Sequence, residues 1–114
     1  MKNLLQLPLD LPGPCGPEIF EDLFAGPGPF RLERIVSNGQ TTPPGEFYDQ
    51  ERDEWVLLLE GAARIVYADG REVSLGRGDA LFLPRRVRHR VSYTSSPCIW
   101  LALHGRDFAF PGGI

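Results

Sequence analysis

Two stretches decide the fold of this chain, DEWVLLLEG at residues 53–61 and GDALFLPRRVRHRV at residues 78–91. Each reads as an apolar strand that is closed by a turn at a glycine or a proline. Each also holds one potential metal ligand, Glu54 in the first stretch and His89 in the second. The two stretches therefore predict strands that carry a carboxylate and an imidazole at fixed distances from their turns.

Glycines and prolines punctuate the whole chain, with 13 and 11 copies, and short apolar segments lie between them. A recurrence of about ten residues is typical of an all-β sandwich or barrel. The Asp69-Gly70 pair indicates a hairpin, because such a turn accepts positive φ. The predicted strands cover residues 30–37, 54–60, 62–67, 71–75, 80–83, 87–93 and 98–104, and residues 47–50 lead into the second of them.

One short N-terminal helix is predicted over residues 17–25. Pro17 suits a first helical turn, acidic residues favour the N-terminal half, and Gly26 can end the helix. At helical spacing four apolar residues would form its buried stripe. These are Ile19, Phe20, Leu23 and Phe24.

The composition restricts the kind of protein. A chain of 114 residues predicts one domain over residues 1–114, with a barrel core at about 30–104. A net charge of -3 argues against nucleic-acid binding. No apolar run reaches the length of about 20 residues that spans a bilayer, and the N-terminal segment lacks the pattern of a signal peptide. We therefore expect a cytoplasmic protein with reduced thiols at Cys15 and Cys98, the alternative being a disulfide between them.

Glu54 and the glycine seven residues after it have the spacing that closes the first motif of the cupins. In that motif two histidines, one residue apart, precede the glutamate by three or four intervening residues. Three intervening residues put Tyr48 and Gln50 at the histidine positions, whereas four put Phe47 and Asp49 there. The stretch resembles the first cupin motif without its histidines.

The second stretch carries a closer likeness. Gly78, Pro84 and His89 match the second cupin motif, which runs glycine, five residues, proline, one residue, glycine, two residues, histidine. Arg86 stands at the second glycine of that motif, and Tyr93 at its usual asparagine. The resemblance covers about residues 30–104. It implies an all-β double-stranded β-helix, or jelly-roll barrel, of the small single-domain cupin-2 type, to which the residues add the N-terminal helix.

The resemblance also implies a metal site inside the barrel. Strand side chains alternate, so ligands one residue apart both face inward, and two histidines with one carboxylate leave open positions on an ion. If Trp100 faces inward, so does His104, which could replace a lost ligand. One divalent transition metal (Fe, Mn, Ni or Zn) is thus a candidate cofactor. Its candidate ligands are His89, His104, Glu54 and Gln50.

Three functions stay open. The first is binding of a small polar or acidic molecule inside the barrel without turnover, since most of the metal ligands that the motifs usually supply are missing. The second is a metal-dependent enzyme of the dioxygenase or isomerase type, and the third is a metal-free acid–base site that pairs His89 with Tyr48 or Tyr93. The candidate catalytic residues are His89, Glu54 and Tyr48. The candidate ligand-binding residues are Tyr48, Gln50, Glu54, His89, Arg86 and Trp100.

Two further expectations concern partners and geometry. A homodimer is expected, because apolar residues are predicted on the outer faces of the barrel, namely Val56 or Leu57, Leu59 and Ile65. Glu54 and His89 should converge on one cavity, open at one end, with one or two of Tyr48, Gln50 and His104. Pairing there would raise the pKa of the histidine and lower that of the carboxylate.

Overall fold

The computed structural model describes residues 1–113, which form two antiparallel sheets around a common core. The strands are β1 (Ile19–Ala25), β2 (Arg31–Ser37), β3 (Asp53–Glu60), β4 (Ala63–Tyr67), β5 (Glu72–Leu75), β6 (Ala80–Leu83), β7 (His89–Thr94) and β8 (Cys98–Gly105). One sheet has the order β1-β2-β8-β3-β6, and the other has the order β5-β4-β7. The predicted all-β jelly roll is confirmed.

The predicted N-terminal helix is wrong, because that segment is the edge strand β1. It pairs antiparallel with β2 from Ile19 opposite Val36 to Ala25 opposite Arg31. The helical stripe would have buried Phe20 and Phe24, yet these side chains are 58% and 62% exposed. Pairing with β2 supplies the backbone hydrogen bonds, which outweighs the local helix signals. Within residues 1–113, no helix is long and apolar enough to cross a membrane.

The core lies between the two sheets and takes residues from both. Val56 and Leu58 of β3 and Trp100 of β8 meet Ile65 of β4 and Leu75 of β5 in one apolar cluster. Strand alternation explains this, since successive residues point to opposite faces of a sheet. Val56, Ile65 and Trp100 of this core also line the cavity described below.

The inward position of Val56 and Ile65 changes the reasoning behind the expected homodimer. Both side chains are buried in the core, so they do not belong to an outer surface as predicted. Leu57 and Leu59 alternate with the inward residues of β3 and stay half-buried on its outer face. The homodimer stays a prediction that now depends on these two leucines alone.

Cys15 and Cys98 are both free thiols in this fold. Cys15 is exposed, whereas Cys98 is fully buried at the start of β8. Burial raises the pKa of the Cys98 thiol to about 12, so it stays protonated at neutral pH. Cys98 therefore acts as a small apolar core residue.

Candidate functional site

A cavity of about 410 Å³ opens between the two sheets. Its most exposed lining side chains, Phe20 and Tyr48, mark its mouth. Their exposed fractions are 58% and 39%, against 4% for His89 and His104. The lining consists of Glu18, Phe20, Arg31, Glu33, Ile35, Tyr48, Gln50, Arg52, Glu54, Val56, Ile65, Leu83, His89, Val91, Trp100 and His104.

The structure places on this cavity both residues that were expected to converge, and also all three of the residues of which one or two were expected to join them. They are Tyr48, Gln50, Glu54, His89 and His104. Trp100 lines the same cavity and is also part of the apolar core. Whether these residues bind a ligand or take part in catalysis stays a prediction.

A cluster of two carboxylates and one imidazole lies on the wall formed by β2, β8 and β3. In the sheet register His104 stands between Arg31 and Glu54, and Glu33 lies diagonally across from it. His104 Nε2 is 2.8 Å from Glu33 Oε1 and 3.8 Å from Glu54 Oε2. One ligand atom from each of the three side chains lies within 4.8 Å of the other two. Such a group could hold a metal ion.

Glu54 is the member of this cluster whose side chain makes no hydrogen bond with the other two. Its residue is 7% exposed, and no hydrogen bond reaches its carboxylate from any residue in the part of the chain described, 1–113. Burial raises its pKa above the ordinary 4.5, although His104, His89 and Arg31 act in the opposite direction. The expectation of a lowered carboxylate pKa is therefore wrong, because desolvation outweighs the neighbouring positive charge.

This raised pKa predicts a pH-dependent stability. The folded chain keeps the Glu54 proton to a higher pH than the unfolded chain, so stability is lost as the pH rises from 4.5 through the folded-state pKa. In metal-free protein at pH 8, Glu54→Gln is expected to raise the melting temperature by about 4 °C or more. The gain should shrink towards pH 4.

Thermal unfolding in EDTA, followed by circular dichroism from pH 4 to pH 8, measures this difference. Glu72→Gln is the matched control, because Glu72 is exposed on β5 and the same change there should leave the melting temperature unaltered. A Glu54→Gln protein that melts below the wild type at pH 8 would show that the neighbouring positive charges outweigh the burial of this carboxylate.

His89 faces the cavity from the opposite sheet, at the start of β7. Its Nδ1 lies 3.0 Å from the carbonyl oxygen of Val87. A carbonyl can only accept, so Nδ1 carries the proton and Nε2 is the nitrogen left for the cavity. The backbone of Tyr48 pairs with that of His89, and the two rings lie 5.5 Å apart. His89 is thus rigidly placed for contact with a molecule in the cavity.

Tyr48 stands at the mouth, where the charges of the Glu18 and Glu54 carboxyls act on its phenol. Partial burial raises the pKa of its phenol, and the two carboxylates add to this effect. Its hydroxyl therefore stays protonated at neutral pH and can donate a hydrogen bond. Tyr93, the other tyrosine predicted as a partner of His89, is exposed on β7 and lies outside the cavity lining. The acid–base pair with Tyr93 is not supported.

Arg86 also lies outside the cavity lining. Its guanidinium is 3.3 Å from carboxylate oxygens of both Asp49 and Glu51, on the exposed rim. These ion pairs neutralise the guanidinium of Arg86, which the sequence predicted to bind an anion. The placement of Arg86 does not support its predicted role in ligand binding.

Two other arginines, which the sequence did not single out, line the cavity. Arg52 makes no ion pair or hydrogen bond with any residue of the described range 1–113. Arg31 is already paired, since its Nε lies 3.4 Å from Asp22 Oδ1 and its Nη2 lies 3.8 Å from Glu33 Oε2. Of these two guanidinium groups, that of Arg52 is therefore the one left without a partner among residues 1–113.

Glu33, Glu18 and Phe20 are further lining residues that sequence reasoning missed. The phase of β2 is ambiguous, since Arg31 and Glu33 alternate with Leu32 and Arg34 on a strand with charge on both faces. Its pairing with β8 settles which face is inward. Glu18 and Phe20 were not recognised as cavity residues because their segment was predicted to be a helix.

Comparisons with known proteins agree with this architecture. Residues 34–104 match the family model of the cupin domain. A crystal structure from Ralstonia eutropha JMP134, of a protein provisionally named a mannose-6-phosphate isomerase, is similar with a TM-score of 0.81 and 39% identity. The alignment covers 94% of this chain and 98% of that chain. No curated protein matches.

More distant solved structures share the fold alone. The EutQ protein of Clostridium difficile is 18% identical with a TM-score of 0.65, over 78% of this chain and 68% of that chain. A cupin-2 domain containing protein from Shewanella frigidimarina is 17% identical with a TM-score of 0.62, over 77% of this chain and 80% of that one.

Proposed function

This chain belongs to the cupin family, and from that premise we propose that its barrel binds a small acidic molecule in the interior cavity. The observation that carries the proposal is Arg52, a cavity-lining guanidinium without an ion pair among residues 1–113. An arginine of this kind can grip a carboxylate or a phosphate with two parallel hydrogen bonds. Arg31 adds a second guanidinium to the lining, although this one already pairs with Asp22 and Glu33.

The size and lining of the cavity support a small ligand. About 410 Å³ lies at the lower end of the range of small-molecule sites, which is roughly 300–1,000 Å³. Trp100, Val56 and Ile65 supply apolar surface, and His89 Nε2 and Gln50 offer polar contacts. A ligand with its anionic group at the arginines and its polar body towards His89 would contact both the apolar and the polar parts of this lining.

Glu18 does not oppose an anion strongly, although it lines the same cavity. Burial raises the pKa of its carboxyl and outweighs the opposite effect of the hydrogen bond that the Ser37 hydroxyl donates to it. The carboxyl is therefore easier to protonate than an exposed glutamate when a second negative charge arrives.

Replacement of Arg52 tests the proposal. Titration calorimetry with a panel of inorganic phosphate, citrate, lactate and mannose 6-phosphate should identify at least one ligand of the wild type. Arg52→Gln is expected to weaken its binding about tenfold or more, since hydrogen bonds to charged groups contribute about 1.5–3 kcal/mol. The sugar phosphate belongs in the panel because of the name of the Ralstonia protein.

Arg86→Gln is the matched control, because it removes an arginine whose guanidinium lies outside the cavity and is already paired. It should leave the affinity within about twofold, given the small effect of exposed ion pairs. Equal losses in the two variants would point to general surface charge. No binding by any acid of the panel would overturn the proposal.

A second candidate function is a metal-dependent isomerase or oxygenase. The cluster of Glu33, Glu54 and His104 favours it, and the name of the 39% identical relative points to an isomerase. A divalent ion bound to these residues would polarise an oxygen of the ligand. His89 Nε2, held by the contact of Nδ1 with Val87, would act as the base that takes a proton from the ligand.

Turnover separates this candidate from simple binding. Wild-type protein loaded with Mn²⁺ should convert a sugar phosphate or other ligand of the panel, and His89→Gln should abolish turnover with little change in ligand affinity. Full activity of His89→Gln would remove His89 as the base. Tight binding without conversion of any bound acid would leave the binding function alone.

A further inference from the structure

We infer that the ligand of this cavity is an amphipathic monocarboxylate. Its carboxylate lies at the end of the cavity that holds Arg52, and an apolar tail of medium length lies at the end that holds Phe20 and Trp100. The inference rests on the proposed function, in which Arg52 binds an acid, and it adds the chemical class of the rest of the ligand.

The lining changes from charged to apolar along three neighbouring strands of the larger sheet, β2, β8 and β3. Each of them contributes a titratable residue and, two or four positions along, an apolar one. The pairs are Glu33 and Ile35 on β2, His104 and Trp100 on β8, and Glu54 and Val56 on β3. Because side chains alternate along a strand, both members of each pair face the same way. The cavity therefore has a charged end and an apolar end.

The register of the sheet arranges these residues in two levels. His104 pairs with Glu54, which places both at the charged level. Trp100 pairs with Ile35, and Ile35 pairs with Phe20 on the next strand, which forms the apolar level. His104 follows Trp100 by four residues on β8, so at about 3.4 Å per residue the two levels are about 13 Å apart. A ligand that reaches both levels must be elongated.

The smaller sheet closes the apolar level from the other side. Val91 of β7 pairs with Ile65 of β4, and both line the cavity. Ile65 belongs with Trp100 to the apolar core cluster, against which Ile35 and Val91 pack. Phe20 completes this level at the mouth, where 58% of it is exposed. An apolar tail that covers these side chains would remove apolar surface from water, which is favourable.

The charges of the cavity favour a single carboxylate over a phosphate or a second carboxylate. Three carboxyl groups line it, those of Glu18, Glu33 and Glu54, whereas Arg31 and Arg52 supply two guanidinium groups. Arg31 already pairs with Glu33, so one guanidinium is left for a ligand. A phosphate monoester carries nearly two negative charges at neutral pH, and the like charges of the cavity would repel the second one.

Glu18 determines the direction in which the ligand lies. It stands two residues before Phe20 and lines the cavity at that end, where the Ser37 hydroxyl donates a hydrogen bond to it. A carboxylate head placed there would share this end with the Glu18 carboxyl. Arg52 stands two residues before Glu54, beyond the charged level, and attracts the head by its positive charge. The head therefore takes the Arg52 end, and the tail points to the mouth.

A series of acids of increasing chain length tests the inference. In titration calorimetry with acetate, butyrate, hexanoate and octanoate, the affinity should rise about tenfold for each step of two carbons, since each buried CH₂ adds a similar favourable term. Adipate replaces the terminal methyl group of hexanoate with a second carboxylate. It should bind at least about tenfold more weakly than hexanoate, because that carboxylate would be buried at the apolar level.

Two exposed phenylalanines of β1 provide a matched pair of variants. Phe20→Ala should weaken octanoate binding about fivefold or more and leave acetate binding within about twofold, because only the longer acid reaches Phe20. Phe24→Ala should leave both within about twofold, since Phe24 is 62% exposed, pairs with Leu32 and lies outside the cavity lining. Arg52→Gln should weaken acetate and octanoate by the same factor, because it removes the contact with the head alone.

Four results would count against these assignments. Equal affinities for acetate and octanoate, both lowered by Arg52→Gln, would overturn the inference and leave the proposed function standing. Adipate that binds as tightly as hexanoate would overturn the apolar end. Equal losses of octanoate affinity in Phe20→Ala and Phe24→Ala would show adsorption to the outer surface and would also overturn the inference. Acid binding that Arg52→Gln leaves unchanged would overturn the proposed function and, with it, the placement of the head.

Discussion

Replacement of Trp100 with alanine is expected to destabilise the fold by about 3–5 kcal/mol, the range for removing a large aromatic side chain from a core. Trp100 is 4% exposed and lies opposite Ile35 of β2 and Leu58 of β3 in the register of the larger sheet. It therefore supports the core and the cavity wall together. Urea unfolding, with the midpoint and slope compared between variants, measures this loss.

Two variants separate the structural role of Trp100 from its predicted role in binding. Trp100→Phe keeps an aromatic ring, so it should cost much less stability and still alter ligand affinity if the indole contacts the ligand. Phe24→Ala removes an aromatic side chain that is 62% exposed on β1, and it should change stability by less than about 0.5 kcal/mol. A Trp100→Ala protein as stable as Phe24→Ala would show that the core does not depend on this residue.

Most of the strands could be predicted from the sequence because the turn residues are physically constrained. Gly61 and Gly78 adopt φ of 92° and 87°, a region that is unfavourable for residues with a Cβ. Their spacing therefore marks where β3 ends and where β6 begins. Arg86 holds the third such position at φ 64°, which shows that the backbone requirement persists where the motif glycine is replaced.

The edge strand could not be predicted in the same way. Residues 17–25 contain acceptable signals for a helix and for a strand, and only the pairing with β2 distinguishes them. Short segments of this kind follow their tertiary context. Because of this error, Glu18 and Phe20 were not predicted as site residues, although both line the cavity.

The residues of the candidate site also fall into those that could be predicted from the sequence and those that could not. Glu54 and His89 could be located because motif spacing ties each of them to a turn, and His104 because it alternates with Trp100 along β8. Glu33 and Arg52 could not be located, since their inward direction depends on which strands are neighbours. The direction of the pKa shift at Glu54 could not be predicted either, because it depends on how deeply the carboxyl is buried.

The second large effect is expected at Gly61, the turn that closes the first motif. A methyl group there would adopt an unfavourable φ of 92° and would meet Ser95 Oγ and, at 2.7 Å, Pro97 O. The Ser95 hydroxyl donates to Pro97 O and accepts from the backbone of Ala62, so both contacts would be disturbed. Gly61→Ala should therefore cost about 3 kcal/mol of stability, from strain and overpacking together.

Gly70→Ala provides the matched control for Gly61→Ala. Gly70 has nearly the same φ, 93°, but no atom lies within 4 Å of the added Cβ. This variant should lose about 1 kcal/mol from backbone strain alone. The difference in free energy of unfolding between the two variants then measures the close approach of residues 61 and 95–98. Equal losses would mean that the β3–β4 turn can move away from Ser95 and Pro97, and that its glycine serves only the backbone conformation.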